Sequence, residues 1–244
     1  LMGNTAAKAL AATCAKPFIS VNHMEGHLLS PFMDIPLKPH VALIVSGGHT
    51  LLIKVNEFGS YGKLGSSRDD AAGEAFDKVG KMLGLPYPGG PEVEQCAKEG
   101  APDRFEFPRS MIESGDFHFS FSGLKTSVLY TLQKIGTPNP QTLADLCASF
   151  QAAVIEVLVT KAIAAVKHCG METIALSGGV ACNHFLRENL HEECTKNGIE
   201  LCAVTPEHST DNAAMIARAA AEKLARSQFT DLSEDIDPNL TLAH

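Results

Sequence analysis

Apolar residues recur along this chain with two periods, and the change from one to the other marks out its elements. From His40 to Ser46 the run is apolar and β-branched, then comes Gly47-Gly48, then a second such run from Thr50 to Val55. Two strands separated by a glycine pair read as a hairpin. Phe18–Val21 reads as a short apolar strand, Glu172–Leu176 as a buried strand running into Ser177-Gly178-Gly179, and Ile199–Val204 as another. Phe117–Phe121 alternates aromatic and polar residues as a strand does. Helical periodicity predicts an alanine-rich helix over Gly3–Ala15 and a helix capped by Ser66-Ser67 and running to about Leu83. In that second helix Ala72, Phe76, Val79 and Leu83 form the stripe, with Asp70, Glu74, Asp77 and Lys81 opposite. Further helices are predicted over Gly123–Ile135, Gln141–His168 (the longest, largely apolar and central), Ala181–Asn197 and Asp211–Arg226. Leu85–Pro91 holds three prolines and two glycines and is predicted to be a shaped loop without regular structure. Gly136–Pro140 reads as a turn, Thr205–Thr210 as a loop, and the polar tail from Ser227 as peripheral. Strand–helix alternation in the second half predicts an α/β domain.

The 244 residues suffice for one large domain or two small ones. No run approaches the roughly 18 apolar residues of a membrane span, so none is expected. Leu1–Ala15 lacks a basic segment followed by an apolar one, so no signal peptide is expected. That opening reads like the middle of a helix, which makes a fragment of a longer protein the expectation. Seven cysteines with no C-x-x-C pair read as reduced cytosolic thiols. A net charge of −8 argues against a chain-wide electrostatic grip on nucleic acid, but leaves room for a local basic patch or a basic partner.

His23 and His27 stand four apart, so on a helix both imidazoles share one face and can reach one metal ion. The alternative is that they cap and pack a helix start. The spacing is not H-E-x-x-H: Glu25 falls on the other side of the helix, so the general base of a metalloprotease is missing. Ser46-Gly47-Gly48 and Ser177-Gly178-Gly179 each follow a buried strand, where glycine lets backbone N–H groups approach a phosphate. Gly73 weakens its helix by roughly 1 kcal/mol unless something approaches it closely. Asp77 together with the Pro-Gly-Gly-Pro loop suits a ribose diol. Asp211 reads as a helix cap and gains further meaning only if it folds back to the histidines. Asn183 reads either as a ligand-binding amide or as a cap, and Ser122 and Lys125 stay ambiguous.

Seven ordered motifs carry a family resemblance: HMEGH at 23–27, VSGGHT at 45–50, DDAAGEAFDK at 69–78, YPGGP at 87–91, FSFSGLKT at 119–126, LSGGVACN at 176–183 and STDNAAMIA at 209–217. Together they resemble the TsaD family of tRNA threonylcarbamoyltransferases, once labelled sialoglycoprotease-like. The resemblance implies an actin/hexokinase/Hsp70-like (ASKHA) two-lobed α/β fold whose first lobe is incomplete in this chain. Residues 1–38 would be a remnant of that lobe carrying the histidine pair. Residues 39–226 would be the second lobe with the nucleotide-binding turns, its last helix packing on the first lobe, and 227–244 a peripheral tail. It further implies transfer of a threonylcarbamoyl group from threonylcarbamoyl-AMP to the exocyclic amine of the adenosine beside the anticodon.

Carried over residue by residue, the resemblance makes His23, His27 and Asp211 ligands of one divalent metal ion, iron(II) ahead of zinc. Ser46, Gly47 and Gly48 would line the phosphate and acyl end, Asp77, Gly90 and Asn183 would hold the adenylate, and Ile44 and Val45 would also be substrate-binding. The metal would orient the phosphate or carbamoyl oxygen and stabilise charge as the amine attacks. No catalytic step is assigned to His49 or Glu74. The implied partners are tRNA and, in bacteria, a TsaB-like paralogue and a TsaE-like ATPase, in the cytoplasm and with no membrane. The chain departs from the family pattern by starting inside the first lobe, so the cleft and metal shell are expected to be incomplete and the isolated chain unstable or inactive. Cys182 also stands where a small residue is usual. The competing readings are a metallopeptidase and a non-catalytic interaction lobe.

Overall fold

Alternation along one strand decides the layering. In β1 (His40–Val45) Val41, Leu43 and Val45 enter one core and Ala42 and Ile44 another, and every residue of the strand is buried. A strand covered on both faces belongs at the centre of a sheet. The computed structural model describes residues 2–237 and 240–242, and places β1 third of five strands. Leu1 and parts of the tail expected over 227–244 lie outside the described residues. The other strands are β2 (Thr50–Glu57), β3 (Ser60–Ser66), β4 (Thr173–Ser177) and β5 (Glu200–Ala203), in the order β3-β2-β1-β4-β5. β1, β2 and β3 pair antiparallel, while β1, β4 and β5 pair parallel.

The helices are α1 (Met2–Thr13), α2 (His23–Leu29), α3 (Ala72–Met82), α4 (Gly89–Ala97), α5 (Ser122–Ile135), α6 (Pro140–Cys169), α7 (His184–Asn197), α8 (Pro206–Ser209) and α9 (Ala213–Ala225), with 3-10 turns at Ser30–Phe32 and Gly179–Cys182. The main core joins one face of the sheet to α3, α4, α6 and α7. Met24 and Leu28 of α2 cover Ala42, Ile44, Ile53 and Val55 on the other face. α6 has 30 residues, begins at an Asn139 cap and Pro140, and ends at a left-handed Gly170. α6 is long and apolar enough to cross a membrane by length and composition alone. However, 83% of its most apolar window is buried inside the protein, which is the setting of a core helix.

Several predicted elements differ in detail. Phe18 forms a single bridge to Thr230 and Phe119 one to Ser67, so neither Phe18–Val21 nor Phe117–Phe121 is a strand. Each lacks a neighbour along which a ladder could extend. Ser66 ends a strand and Ser67 donates to the Asp70 carbonyl, so the predicted Ser66-Ser67 cap is spent on a turn and the helix starts at Ala72. The Gly-Gly-Pro segment, predicted to be loop, is the first turn of α4. A proline is tolerated there because the first-turn N–H groups have no intrahelical partner. The tail lies on the surface but is tied back: Thr230 pairs with Phe18 and Ser20, Glu234 accepts from Lys8, and the Leu240 carbonyl accepts from Asn22.

His40 is fully buried beneath Phe32, with ring centroids 4.7 Å apart. Its Nδ1 bonds the Lys38 carbonyl and its Nε2 has no partner. Burial pushes its pKa down to about 4. The folded state therefore binds this proton less readily than the unfolded chain, and stability falls as pH drops from about 6.5 towards 4. We expect the loss to reach about 3 kcal/mol at full protonation, from roughly 1.4 kcal/mol per pKa unit. Urea unfolding of the parent and His40→Phe at pH 7 and pH 4.5 checks this: the parent should lose more than the variant, and equal losses would contradict it.

Candidate functional site

The ends of β1 and β4 and the starts of α3 and α4 converge because two glycines let backbones touch. A β-carbon on Gly73 would lie 2.5 Å from the Ser46 carbonyl oxygen, so the N-terminal turn of α3 sits directly on the Ser46-Gly47-Gly48 turn. This is the close approach that a glycine in this helix required. Gly178 has φ +91°, and a β-carbon there would lie 2.3 Å from the Val45 carbonyl oxygen. The two Ser-Gly-Gly turns, 131 residues apart in sequence (177 − 46), are thereby neighbours.

Between them opens a cavity of about 370 Å³. Gly47 and Gly73 wall it on one side, Gly179, Val180, Cys182 and Asn183 on the other, and Asp77, Tyr87, Pro88, Gly90 and Glu94 form a third side, with Thr210 also in the wall. Four residues picked from the sequence thus share it: Gly47, Asp77, Gly90 and Asn183. Ser46 and Gly48 belong to the adjoining turn, where the Ser46 hydroxyl accepts from the His49 N–H. The side chains of Ile44 and Val45 are fully buried in opposite cores, and neither is among the residues that line this cavity.

Asp77 Oδ1 accepts from the Gly89 N–H at 2.8 Å, which ties α3 to the start of α4. Asn183 is the cap of α7 rather than a residue inside it: its Oδ1 accepts from Leu186 and its Nδ2 donates to Gln151. Glu94 is not evident from the sequence, where the Pro-Gly-Gly-Pro stretch predicts a loop rather than the start of a helix. Its Oε1 accepts from both the N–H and Nδ1 of His184. Pro91-Glu92 in a first helical turn was the available signal. Cys182 Sγ lies 2.8 Å from Ser209 Oγ.

The motif over 69–78 locks onto the one over 119–126. Asp69 Oδ1 accepts from the Phe121 and Ser122 N–H groups, and Oδ2 from Ser120. Asp70 binds Lys78 and Lys125, and Lys78 also binds Glu74. Ser122 and Lys125 therefore have structural partners, and Glu74 is held in a surface ion pair. Asp69 supplies the cap that α5 lacks from its own residues, so Asp69→Ala is expected to cost about 1–2 kcal/mol in urea unfolding.

Next in sequence to Thr210 of the cavity wall, Asp211 does fold back to the histidines. Asn212, not Asp211, caps α9, which leaves the Asp211 carboxylate free to meet His27 Nε2 at 3.1 Å and His23 Nε2 at 3.3 Å. Asn22 starts α2 by accepting from Met24, placing both rings on one face, with centroids 4.8 Å apart. One ligand atom from each of the three residues lies within 4.8 Å of the others. His27 is buried, and burial together with His23 lowers its pKa against the pull of Asp211. It is therefore the neutral imidazole that a metal requires. Two imidazoles and one carboxylate, with Asp211 open to solvent, suit a divalent transition metal and leave coordination positions free. His49 lies within electrostatic reach of His23 and Asp211. Glu25 points away from the triad; its Oε1 accepts from Tyr61.

The family model described as TsaD, tRNA N6-adenosine threonylcarbamoyltransferase, matches residues 1–218. The tRNA N6-adenosine threonylcarbamoyltransferase of Variovorax paradoxus (strain S110) is 47% identical over 249 residues, covering 100% of this chain and 70% of its own. The protein of the same name from Geobacter metallireducens is 48% identical over 241 residues, covering 96% of this chain and 70% of its own. Among solved structures, full-length HypF in a phosphate- and nucleotide-bound form superposes with a TM-score of 0.67 at 14% identity, over 88% of this chain and 37% of that one. HypF from T. kodakarensis gives 0.66 at 16% identity, over 88% and 38%. At that identity the likeness speaks to fold.

Proposed function

The chain belongs to the TsaD family of tRNA N6-adenosine threonylcarbamoyltransferases, and from that membership we propose how its cavity and histidine site divide the work. It is an acyltransferase that forms threonylcarbamoyladenosine in tRNA. Threonylcarbamoyl-AMP is the donor, and its adenylate occupies the cavity. The ribose lies at Asp77, the base runs towards Gly90 and Asn183, and the phosphate rests against the backbone at Gly47 and Gly179. The observation that carries this reading is the cavity lined by both glycine turns, whose wall residue Thr210 directly precedes Asp211 of the triad.

Glycine at the turns lets backbone N–H groups approach the phosphate oxygens, and packed backbone holds them there without reorganisation. Asp77 is fixed by its bond to Gly89, so its second oxygen is presented to a ribose hydroxyl in a set direction. His23, His27 and Asp211 would hold one divalent cation, iron(II) in preference to zinc, which when bound supplies positive charge where the acyl phosphate cleaves. The amine of the tRNA adenosine then attacks the carbamoyl carbon, and AMP leaves. Within this proposal the fold is the two-lobed ASKHA type, residues 1–38 belong to the first lobe, 39–226 to the second and 227–244 to a surface tail. The protein acts in the cytoplasm, on tRNA, with TsaB-like and TsaE-like partners. The metallopeptidase alternative would need a glutamate general base beside the ligand histidines, and Glu25 of the same helix is turned to Tyr61 instead.

Calorimetric titration with a non-hydrolysable sulfamate analogue of threonylcarbamoyl-AMP tests the assignment. Saturable binding that Asp77→Ala weakens about tenfold or more is expected; parental affinity in that variant would contradict it.

A further inference from the structure

Glu25 is a carboxylate only 5% exposed, inside the seven-residue helix that carries both histidines. At about 100° per residue it stands on the side of α2 opposite His23 and His27. Its Oε1 accepts from the Tyr61 hydroxyl of β3 at 2.9 Å. Its Oε2 has no hydrogen bond and lies 3.4 Å from Lys223 Nζ of α9. Lys223 also donates to the Ser20 carbonyl, in the segment that leads into α2.

A charged group placed in a core is costly unless a partner holds it. A helix of two turns is too short to be stable by itself, so its orientation comes from what it touches. Met24, Leu28 and Leu29 give α2 its apolar contacts. Such contacts fill space but are not directional. Glu25 adds a directional hydrogen bond to the sheet and an ion pair to α9. The same α9 segment brings Asp211 at its start, so the Lys223 link also ties the histidines to the element that carries the third ligand.

We propose that Glu25 is a positioning residue for the metal site: by engaging Tyr61 and Lys223 behind α2, it fixes the rotation that aims His23 and His27 at Asp211. This rests on the reading of His23, His27 and Asp211 as metal ligands. Groups that hydrogen-bond a metal ligand directly typically control metal affinity by 10- to 100-fold, which sets the scale for a residue that orients both ligands through their helix.

The test is cobalt(II) titration of the metal-stripped protein, followed by its visible d–d absorption, in the parent, Glu25→Ala, Glu25→Gln, Tyr61→Phe and Glu25→Ala/Tyr61→Phe. The parent should bind one cobalt ion. Glu25→Ala should weaken binding about 10- to 100-fold and alter the band shape. Glu25→Gln, which still accepts from Tyr61, should recover part of the loss. Tyr61→Phe should weaken binding several-fold, with no further effect once Glu25 is alanine, because the two residues act as one link. Parental cobalt affinity in Tyr61→Phe and Glu25→Ala, or fully additive losses, would overturn the proposal. If Glu25→Ala does not fold, parental affinity in the milder Tyr61→Phe overturns it alone. A parent that binds no cobalt overturns the metal site itself and the positioning role with it.

Discussion

Replacing His23 or Asp211 with alanine is expected to reduce threonylcarbamoyl transfer to tRNA by about a hundredfold or more while leaving the fold intact. The side chains are 47% and 74% exposed, so neither contributes packing whose loss would unfold the protein. If the histidines merely capped and packed a helix start, removing an exposed ring would do little. If they hold a cation beside the reacting phosphate, losing one ligand removes several kcal/mol of charge stabilisation, and each 1.4 kcal/mol is tenfold in rate. Single-turnover transfer to a tRNA transcript, read beside the melting temperature, separates the two cases. A large rate loss with a shift below about 3 °C is expected.

Gly178→Val should remove both stability and ligand binding. Gly178 sits at φ +91°, a region that side chains with a β-carbon avoid and β-branched ones avoid most. Its neighbour is backbone: the Val45 carbonyl oxygen would be 2.3 Å from the new carbon, and a strand carbonyl cannot swing aside. Strain at such a position together with overpacking amounts to about 3–5 kcal/mol. The displaced atoms are also those that hold the two glycine turns together. Urea unfolding and titration with the sulfamate analogue should both report the damage, whereas Gly59→Ala, at a hairpin with open space around it, should leave ligand binding unchanged.

The elements with strong periodicity were legible in the sequence. β1 and β2, the stripe of α3 and the long α6 are fixed by hydrophobic pattern, and tertiary packing only confirms them. Elements set by long-range partners were not. β3 exists because it lies against β2, although Gly62 and Gly65 make it a poor strand by composition. The start of α3 moved because Ser67 found a partner in the Asp70 carbonyl. The cap of α5 comes from Asp69, some 50 residues upstream, and no local signal announces that.

The site was legible to the same degree. His23, His27 and Asp211 were recoverable as a set only through the family motifs, since spacing links the first two and only the fold brings the third. Gly73 was readable as a point of close approach because glycine is otherwise unfavourable in a helix. Ile44 and Val45 could be placed beside the glycine turn in sequence, but strand alternation sends their side chains into the two cores. Glu25 drew notice only for what it fails to do, and its partners Tyr61 and Lys223 lie 36 and 198 residues away (61 − 25 and 223 − 25).

Mass spectrometry of nucleosides in tRNA, from cells depleted of this gene product, tests the central claim most directly. Threonylcarbamoyladenosine should fall, return with the parental gene, and fail to return with His23→Ala/His27→Ala. Unchanged threonylcarbamoyladenosine on depletion, or full restoration by the double variant, would contradict the account.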